Sequence, residues 1–332
     1  MTRKRPKRDD KRPKLKALAE KAKKLRESVA TGNVKMVREL INGGASVNQK
    51  DPNGWTLLHL AASRGQERAL RVLLEEGGDP LVKDSVGGFT ALHYAAMHGR
   101  TRICRLLLDY EGLDGKKLVD ARSDDGWTSL HVAAHYGREP FVKLLLESNA
   151  HVDALSDKGT TALQLAIIRE RTTCVRVLLE SGANIDVQFG FPLRYAVIKG
   201  NFLCARILVE HGAQTSIRRL EDGQTPLHLA ALRNNETLAK LLVTFGADVN
   251  VFNDEGLTPL GISQMMCNVN NTESGCVKYL TSATRNVRSL QDCCRLVIRQ
   301  TLNRERLADI SNLPLPVHLK HFLNYKYNFL QE

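Results

Sequence analysis

Gly223-Gln224-Thr225-Pro226-Leu227-His228-Leu229-Ala230-Ala231 decides how this chain folds. Thr225 is a hydroxyl cap, and Pro226 falls at the first helical position, where a missing N–H costs nothing. Ala230 and Ala231 let a second helix approach closely. Working outward, the phrase returns as Gly54-Trp55-Thr56-Leu57-Leu58-His59, Gly88-Phe89-Thr90-Ala91-Leu92-His93 and Gly126-Trp127-Thr128-Ser129-Leu130-His131. It persists as Gly159-Thr160-Thr161-Ala162-Leu163-Gln164, degenerates at Gly190-Phe191-Pro192-Leu193-Arg194, and fades at Gly256-Leu257-Thr258-Pro259-Leu260. The threonine position falls at 56, 90, 128, 161, 191 (Phe), 225 and 258, in steps of 34, 38, 33, 30, 34 and 33.

Each phrase opens a short helix that Gly65, Gly99, Gly137 or Gly200 ends. A second helix follows with an apolar stripe, as in Val142-x-Leu144-Leu145-Leu146. Gly246-Ala247-Asp248-Val249-Asn250 and its relatives then turn the chain into a β-like finger. One such unit cannot bury its own apolar face, so copies must stack. The period and the Thr-Pro-Leu-His signature resemble the ankyrin repeat. The implied fold is all-α: an ankyrin-repeat solenoid over 26–283 with about seven to eight repeats. His59, His93, His131 and His228 read as hydrogen-bond partners of an adjacent repeat's loop, not as metal ligands. Cys104, Cys174 and Cys204 occupy matching places in second helices and read as small buried hydrophobes. The step of 38 places extra residues in a loop around 109–115. The copy at 190–212 lacks Thr and His, so its finger is expected to be distorted.

The pattern changes after Gly275-Cys276-Val277-Lys278-Tyr279-Leu280. Ser289 can cap a helix on which Leu290, Cys294 and Ile298 share one face. Leu313-Pro314-Leu315-Pro316 cannot be helical, and it precedes Leu319 and a final helix. This stretch, 284–332, resembles a SOCS box. The resemblance implies elongin contacts at Ser289, Leu290, Cys294 and Ile298. It implies cullin contacts at Leu313, Pro314, Leu315, Pro316 and Leu319, in the version associated with cullin-5. Together, repeats and box resemble the ankyrin repeat and SOCS box family. That resemblance implies a non-catalytic substrate receptor of a cullin-RING ubiquitin ligase, with elongin B, elongin C, and cullin-5 with its RING subunit as partners. A plain ankyrin scaffold is the alternative.

The composition fits this reading. The chain has 332 residues, 42% hydrophobic and only 5% aromatic, with a net charge of +12. Thirteen Lys and Arg stand against three acids in residues 1–26, so nearly all the excess sits there. Residues 1–25 are expected to form a disordered basic tail, and the run Arg3 to Arg8 suits a nuclear-localisation or polyanion patch. From Leu15 onward, apolar residues at three and four spacing predict a helix capping the stack. Because the charge belongs to the tail, nucleic acid is not an expected partner of the folded body. No apolar run suits a membrane span or a secretory leader. Seven scattered cysteines without C-x-x-C pairs argue against a disulfide framework or a zinc cage, and point to the cytoplasm or nucleus. No nucleotide-binding, zinc-protease or nucleophile-elbow motif is present, and no cofactor is expected.

The substrate site is expected along the fingers and the ends of the first helices. Trp55, Phe89 and Trp127 are the finger aromatics, expected to be exposed. Arg64, His98, Tyr136, Arg169, Lys199 and Arg233 are the helix-end candidates. This basic and aromatic mix predicts a protein segment with acidic and apolar residues.

Overall fold

A computed structural model describes residues 11–110, 118–270, 274–286, 289–302 and 309–324. The extra loop expected near 109–115 and the basic run Arg3 to Arg8 fall largely or wholly outside them. The chain divides into two compact units, Met1–Thr160 and Thr161–Glu332.

In the first unit, helix Lys11–Thr31 pairs with Val34–Asn42. Helix Leu57–Arg64 pairs with Glu67–Glu75, Ala91–His98 with Thr101–Leu108, and Ser129–Tyr136 with Glu139–Glu147. The first helices pack on one another to form an inner layer, and the second helices form an outer one. The opening helix begins at Lys11, inside the stretch expected to be a disordered tail. Its packing explains this: Leu25 and Val29 are buried, and Arg26 donates to the Trp55 carbonyl oxygen at 2.8 Å. The second unit repeats the scheme. Ala162–Ile168 pairs with Thr172–Glu180, Val187–Ile198 with Phe202–Glu210, Pro226–Leu232 with Glu236–Thr244, and Pro259–Asn270 with Gly275–Arg285. Helix Leu290–Thr301, a 3-10 turn Asp309–Asn312 and helix Val317–Leu323 complete it.

The recurring phrase builds these elements by local chemistry. The Thr56 N–H donates to His59 Nδ1 at 3.0 Å, so the imidazole closes a capping box on its own helix. His59 Nε2 then reaches the Phe89 carbonyl oxygen of the next repeat at 2.9 Å. A carbonyl can only accept, so the proton sits on Nε2. His93 repeats the bond to the Trp127 oxygen, His131 to the Thr160 oxygen and His228 to the Leu257 oxygen. Burial and this tautomer disfavour protonation. Burial pulls all four below the usual imidazole range, and His93 to about 4, against a smaller opposing pull from the carbonyl bond. Ala61, Ala62, Ala95, Ala96, Ala133 and Ala134 are fully buried where first helices meet.

Among the described residues the fingers form no strand. Each hands one backbone bond to the next: Ser85 to Asn53 at 2.9 Å, Asp124 to Gly87 at 2.9 Å, and Asp254 to Asp222 at 3.1 Å. The close approach demands glycine. A Cβ on Gly88 would stand 2.1 Å from Asp124 Oδ1, and Gly88 has a φ of +68°. The degenerate copy departs from this plan. Gln188, Phe189 and Gly190 are all left-handed, with φ of 49°, 56° and 73°. Arg194, standing where histidine recurs, donates back to the Phe189 oxygen at 2.7 Å, and Gln164 donates to Gln188 Oε1 at 2.9 Å.

Candidate protein-binding sites

In the first unit, Arg64, His98 and Tyr136 are the last residues of three successive inner helices, and all three are exposed. They form one column beside the αL glycines Gly65, Gly99 and Gly137. A cation at a helix C-terminus also answers the helix dipole. His98 is held below the usual imidazole range by its partial burial and then by the charges of Arg100 and Arg138.

The finger aromatics are half-buried where full exposure was expected. The cause is packing onto the inner helices. Trp55 donates from Nε1 to the Tyr94 hydroxyl at 3.1 Å, with ring centroids 4.5 Å apart. Tyr94 in turn donates to Asp84 Oδ2 at 2.5 Å. Asp84 is buried, which alone would raise its pKa. The Tyr94 hydroxyl and the amides of Gly87, Phe89 and Val86 outweigh that and hold the carboxyl below its ordinary value. Phe89 stacks on His93 at 5.2 Å, and Trp127 leans on His135 at 5.4 Å. These residues therefore present a rigid, partly covered aromatic wall. Tyr94 and Asp84 were not singled out in the sequence. The available signal is that Tyr94 brings a hydroxyl to a place where the other unit-one repeats carry Leu60 and Val132.

In the second unit, Arg169, Lys199 and Arg233 cap three inner helices at the equivalent place, all exposed. Lys199 Nζ lies 5.6 Å over the Tyr195 ring, which packs on Phe191 at 5.4 Å.

The terminal helix is turned unusually. The Ser289 hydroxyl accepts from the Asp292 N–H at 3.1 Å and so caps Leu290–Thr301. Arg299 faces inward and is 9% exposed; it donates to the Leu323 oxygen at 2.9 Å and the Glu210 oxygen at 2.7 Å. Arg295 is equally inward, 3.4 Å from Asp292 and 3.9 Å over the Phe322 ring. Leu296 packs so close to Gly246 that a Cβ there would stand 3.0 Å from Cδ2. The opposite face holds Cys293, Cys294, Val297 and Ile298, all exposed. The Leu290 side chain lies outside the described residues. Pro314, Pro316 and Leu319 are exposed, Leu313 and Leu315 half-buried, and Leu323 buried. Sequence reading placed Cys294 and Ile298 on one face but not the two arginines on the other, because Arg at four-residue spacing normally marks a solvated face.

The helix pairs with histidine-tied fingers define an ankyrin array, here closed by a compact helical segment with an apolar face turned outward. Known proteins agree. The family of ankyrin repeats in three copies matches residues 25–117, 114–189, 149–219 and 193–291, and the SOCS box matches 286–324. The chain belongs to the ankyrin repeat and SOCS box family. The human ankyrin repeat and SOCS box protein 5 is 38% identical over 103 residues, 31% of this chain and 29% of that protein. The rabbit (Oryctolagus cuniculus) protein of the same name is 37% identical over 102 residues, with the same shares. Mouse protein phosphatase 1 regulatory subunit 27 is 42% identical over 55 residues, 17% of this chain and 36% of that protein. The matched region thus spans under a third of the first two relatives.

Proposed function

We propose that this chain is the substrate-recognition subunit of an elongin B/C–cullin-5 RING ubiquitin ligase. One observation carries the reading. The helix Leu290–Thr301 turns both arginines inward, Arg299 onto the Glu210 oxygen of the repeat array and Arg295 onto the Phe322 ring, and leaves Cys294, Val297 and Ile298 uncovered. A SOCS-box helix so held offers elongin C a ready-made apolar ridge, in helix-in-groove fashion. Pro314, Pro316 and Leu319 would take cullin-5. Within the family, the segments 88–99 and 157–171 most resemble the seventh member. The chain supplies no chemistry itself; it raises the effective concentration of a target near the charged ubiquitin carrier. The target would lie along Trp55, Phe89 and Trp127 with Arg64, His98 and Tyr136, and along Arg169, Lys199 and Arg233. An acidic and apolar segment fits those groups.

Co-expression with elongins B and C, followed by gel filtration, tests this. One complex should elute, and Cys294→Asp with Ile298→Asp should weaken it about a hundredfold while the array stays folded. An unmodified chain that elutes apart from both elongins leaves the ankyrin scaffold as the reading.

A further inference from the structure

The outer helices of the first unit carry a feature that neither the substrate column nor the terminal helix uses. Arg68 and Arg71, three residues apart, share a face of Glu67–Glu75; Arg102 and Arg105 do the same on Thr101–Leu108. All four line one groove of about 230 Å³ between the helices. The helices run side by side in the same direction, since Arg102 meets Glu67 at their starts, at 3.5 Å. At their ends, the Tyr110 hydroxyl donates to the Leu74 oxygen at 2.8 Å. The groove walls are therefore tied at both ends.

Charge in this groove is out of balance. Four guanidinium groups face two carboxylates, Glu67 and Asp109. Among the described residues, Arg68, Arg71 and Arg105 have no carboxylate within ion-pair distance, and only Arg102 has a partner. Like charges three residues apart destabilise a helix slightly, so the array gains nothing by collecting them. A dianion would turn that repulsion into charge-assisted, forked hydrogen bonds. A phosphorylated side chain carries close to two negative charges at neutral pH, which matches the excess. The two carboxylates stand at opposite ends, Glu67 at the start of one helix and Asp109 just past the end of the other. That favours one compact dianion over a string of phosphates, which would run into a carboxylate whichever way it lay.

We infer that the groove between Glu67–Glu75 and Thr101–Leu108 is a docking site for a phosphorylated side chain of a protein partner. It lies on the outer helices, apart from the inner-helix column, and does not depend on the ligase reading.

The test uses the full chain and a fluorescent degenerate peptide pool with a fixed central phosphoserine, beside its serine and aspartate twins. Anisotropy is read at about 0.15 M salt, where exposed long-range attraction is screened. The phosphoserine pool should bind about tenfold tighter than either twin. Arg71→Gln with Arg105→Gln should remove that preference without moving the thermal midpoint. Arg71→Lys with Arg105→Lys should keep only part of it, because lysine cannot form the fork. Arg176→Gln, on the outer helix Thr172–Glu180 of the second unit, should leave it intact. Equal binding of the three pools overturns the inference. So does a preference that survives the Arg71 and Arg105 changes. Tighter binding of a single-stranded RNA of about 20 nucleotides, lost with the same arginines, overturns it in favour of nucleic acid. Tighter binding of phosphatidylserine vesicles, lost likewise, overturns it in favour of a membrane surface.

Discussion

Helix Ala91–His98 and helix Leu290–Thr301 are both short, yet they are packed in opposite senses. In the first, Leu92, Ala95 and Ala96 are wholly buried and His98 faces water. In the second, Arg295 and Arg299 are buried while Val297 is 56% and Ile298 41% exposed. Burial of apolar area stabilises the first. It cannot orient the second, whose inward guanidinium groups would be costly without their carbonyl, carboxylate and aromatic partners. A helix held by polar contacts with its apolar side outward is arranged for a partner; a helix held by apolar contacts is arranged for the fold.

The largest effect that sharpens this contrast is expected in the array. Leu92→Ala removes a fully buried side chain between stacked helices. It should cost about 3 kcal/mol, read as a lower urea midpoint of the first unit. A loss below about 0.5 kcal/mol would mean that the inner layer is not close-packed there.

Acid should act on the array almost as strongly. His93 is neutral in the folded chain, with its pKa down at about 4 from an ordinary 6.5. The unfolded chain takes up the proton first, so stability is complete above pH 6.5 and falls as pH drops towards 4. For His93 alone the loss amounts to about 3 kcal/mol at the acid end. The chain contains its own control. Gln164 caps Thr161 at 2.8 Å in the same role and cannot titrate. His93→Gln should therefore flatten the pH dependence of the urea midpoint; an unchanged slope would assign acid sensitivity to other groups.

The same contrast explains what could be read without a structure. Thr-x-x-His capping, the Ala-Ala contacts and the helix-ending glycines are decided within a few residues, so the repeat was legible throughout. The histidine bond to the next repeat was legible because it recurs with the period. The left-handed turn at Gln188–Gly190 was visible only as a missing Thr and His. The Trp55–Tyr94–Asp84 chain joins neighbouring repeats through side chains with no shared motif. The inward turn of Arg299 depends on the carbonyls of Glu210 and Leu323, and that of Arg295 on the Phe322 ring, all far away in sequence. Nothing local announces such partners, and arginine is ordinarily a surface residue.

Arg299→Met keeps the length and apolar stem of the side chain but removes both donors. The Glu210 and Leu323 oxygens then lose a charged partner, and the terminal helix should be loosened by about 2 kcal/mol. Hydrogen exchange should quicken across 290–302 while amides in the paired helices of the array stay protected. Uniform exchange across the second unit would instead make the terminal helix part of one cooperative block with the repeats.

The smallest effect is the most discriminating. Val132 and Val297 are the same residue on helices of opposite sense, the one fully buried and the other 56% exposed. Val132→Ser puts a hydroxyl into the inner layer and removes apolar contact, at a cost of about 2 kcal/mol. Val297→Ser exchanges one solvent-facing side chain for another and should shift the urea midpoint by less than about 0.5 kcal/mol. If Val297→Ser costs as much as Val132→Ser, the ridge is covered by the chain's own residues, and the contrast between the two helices disappears. If it costs nothing alone but lowers stability in the presence of elongins B and C, the apolar face is stabilised by binding and not by folding, since a ligand that prefers the folded state adds to its stability by mass action.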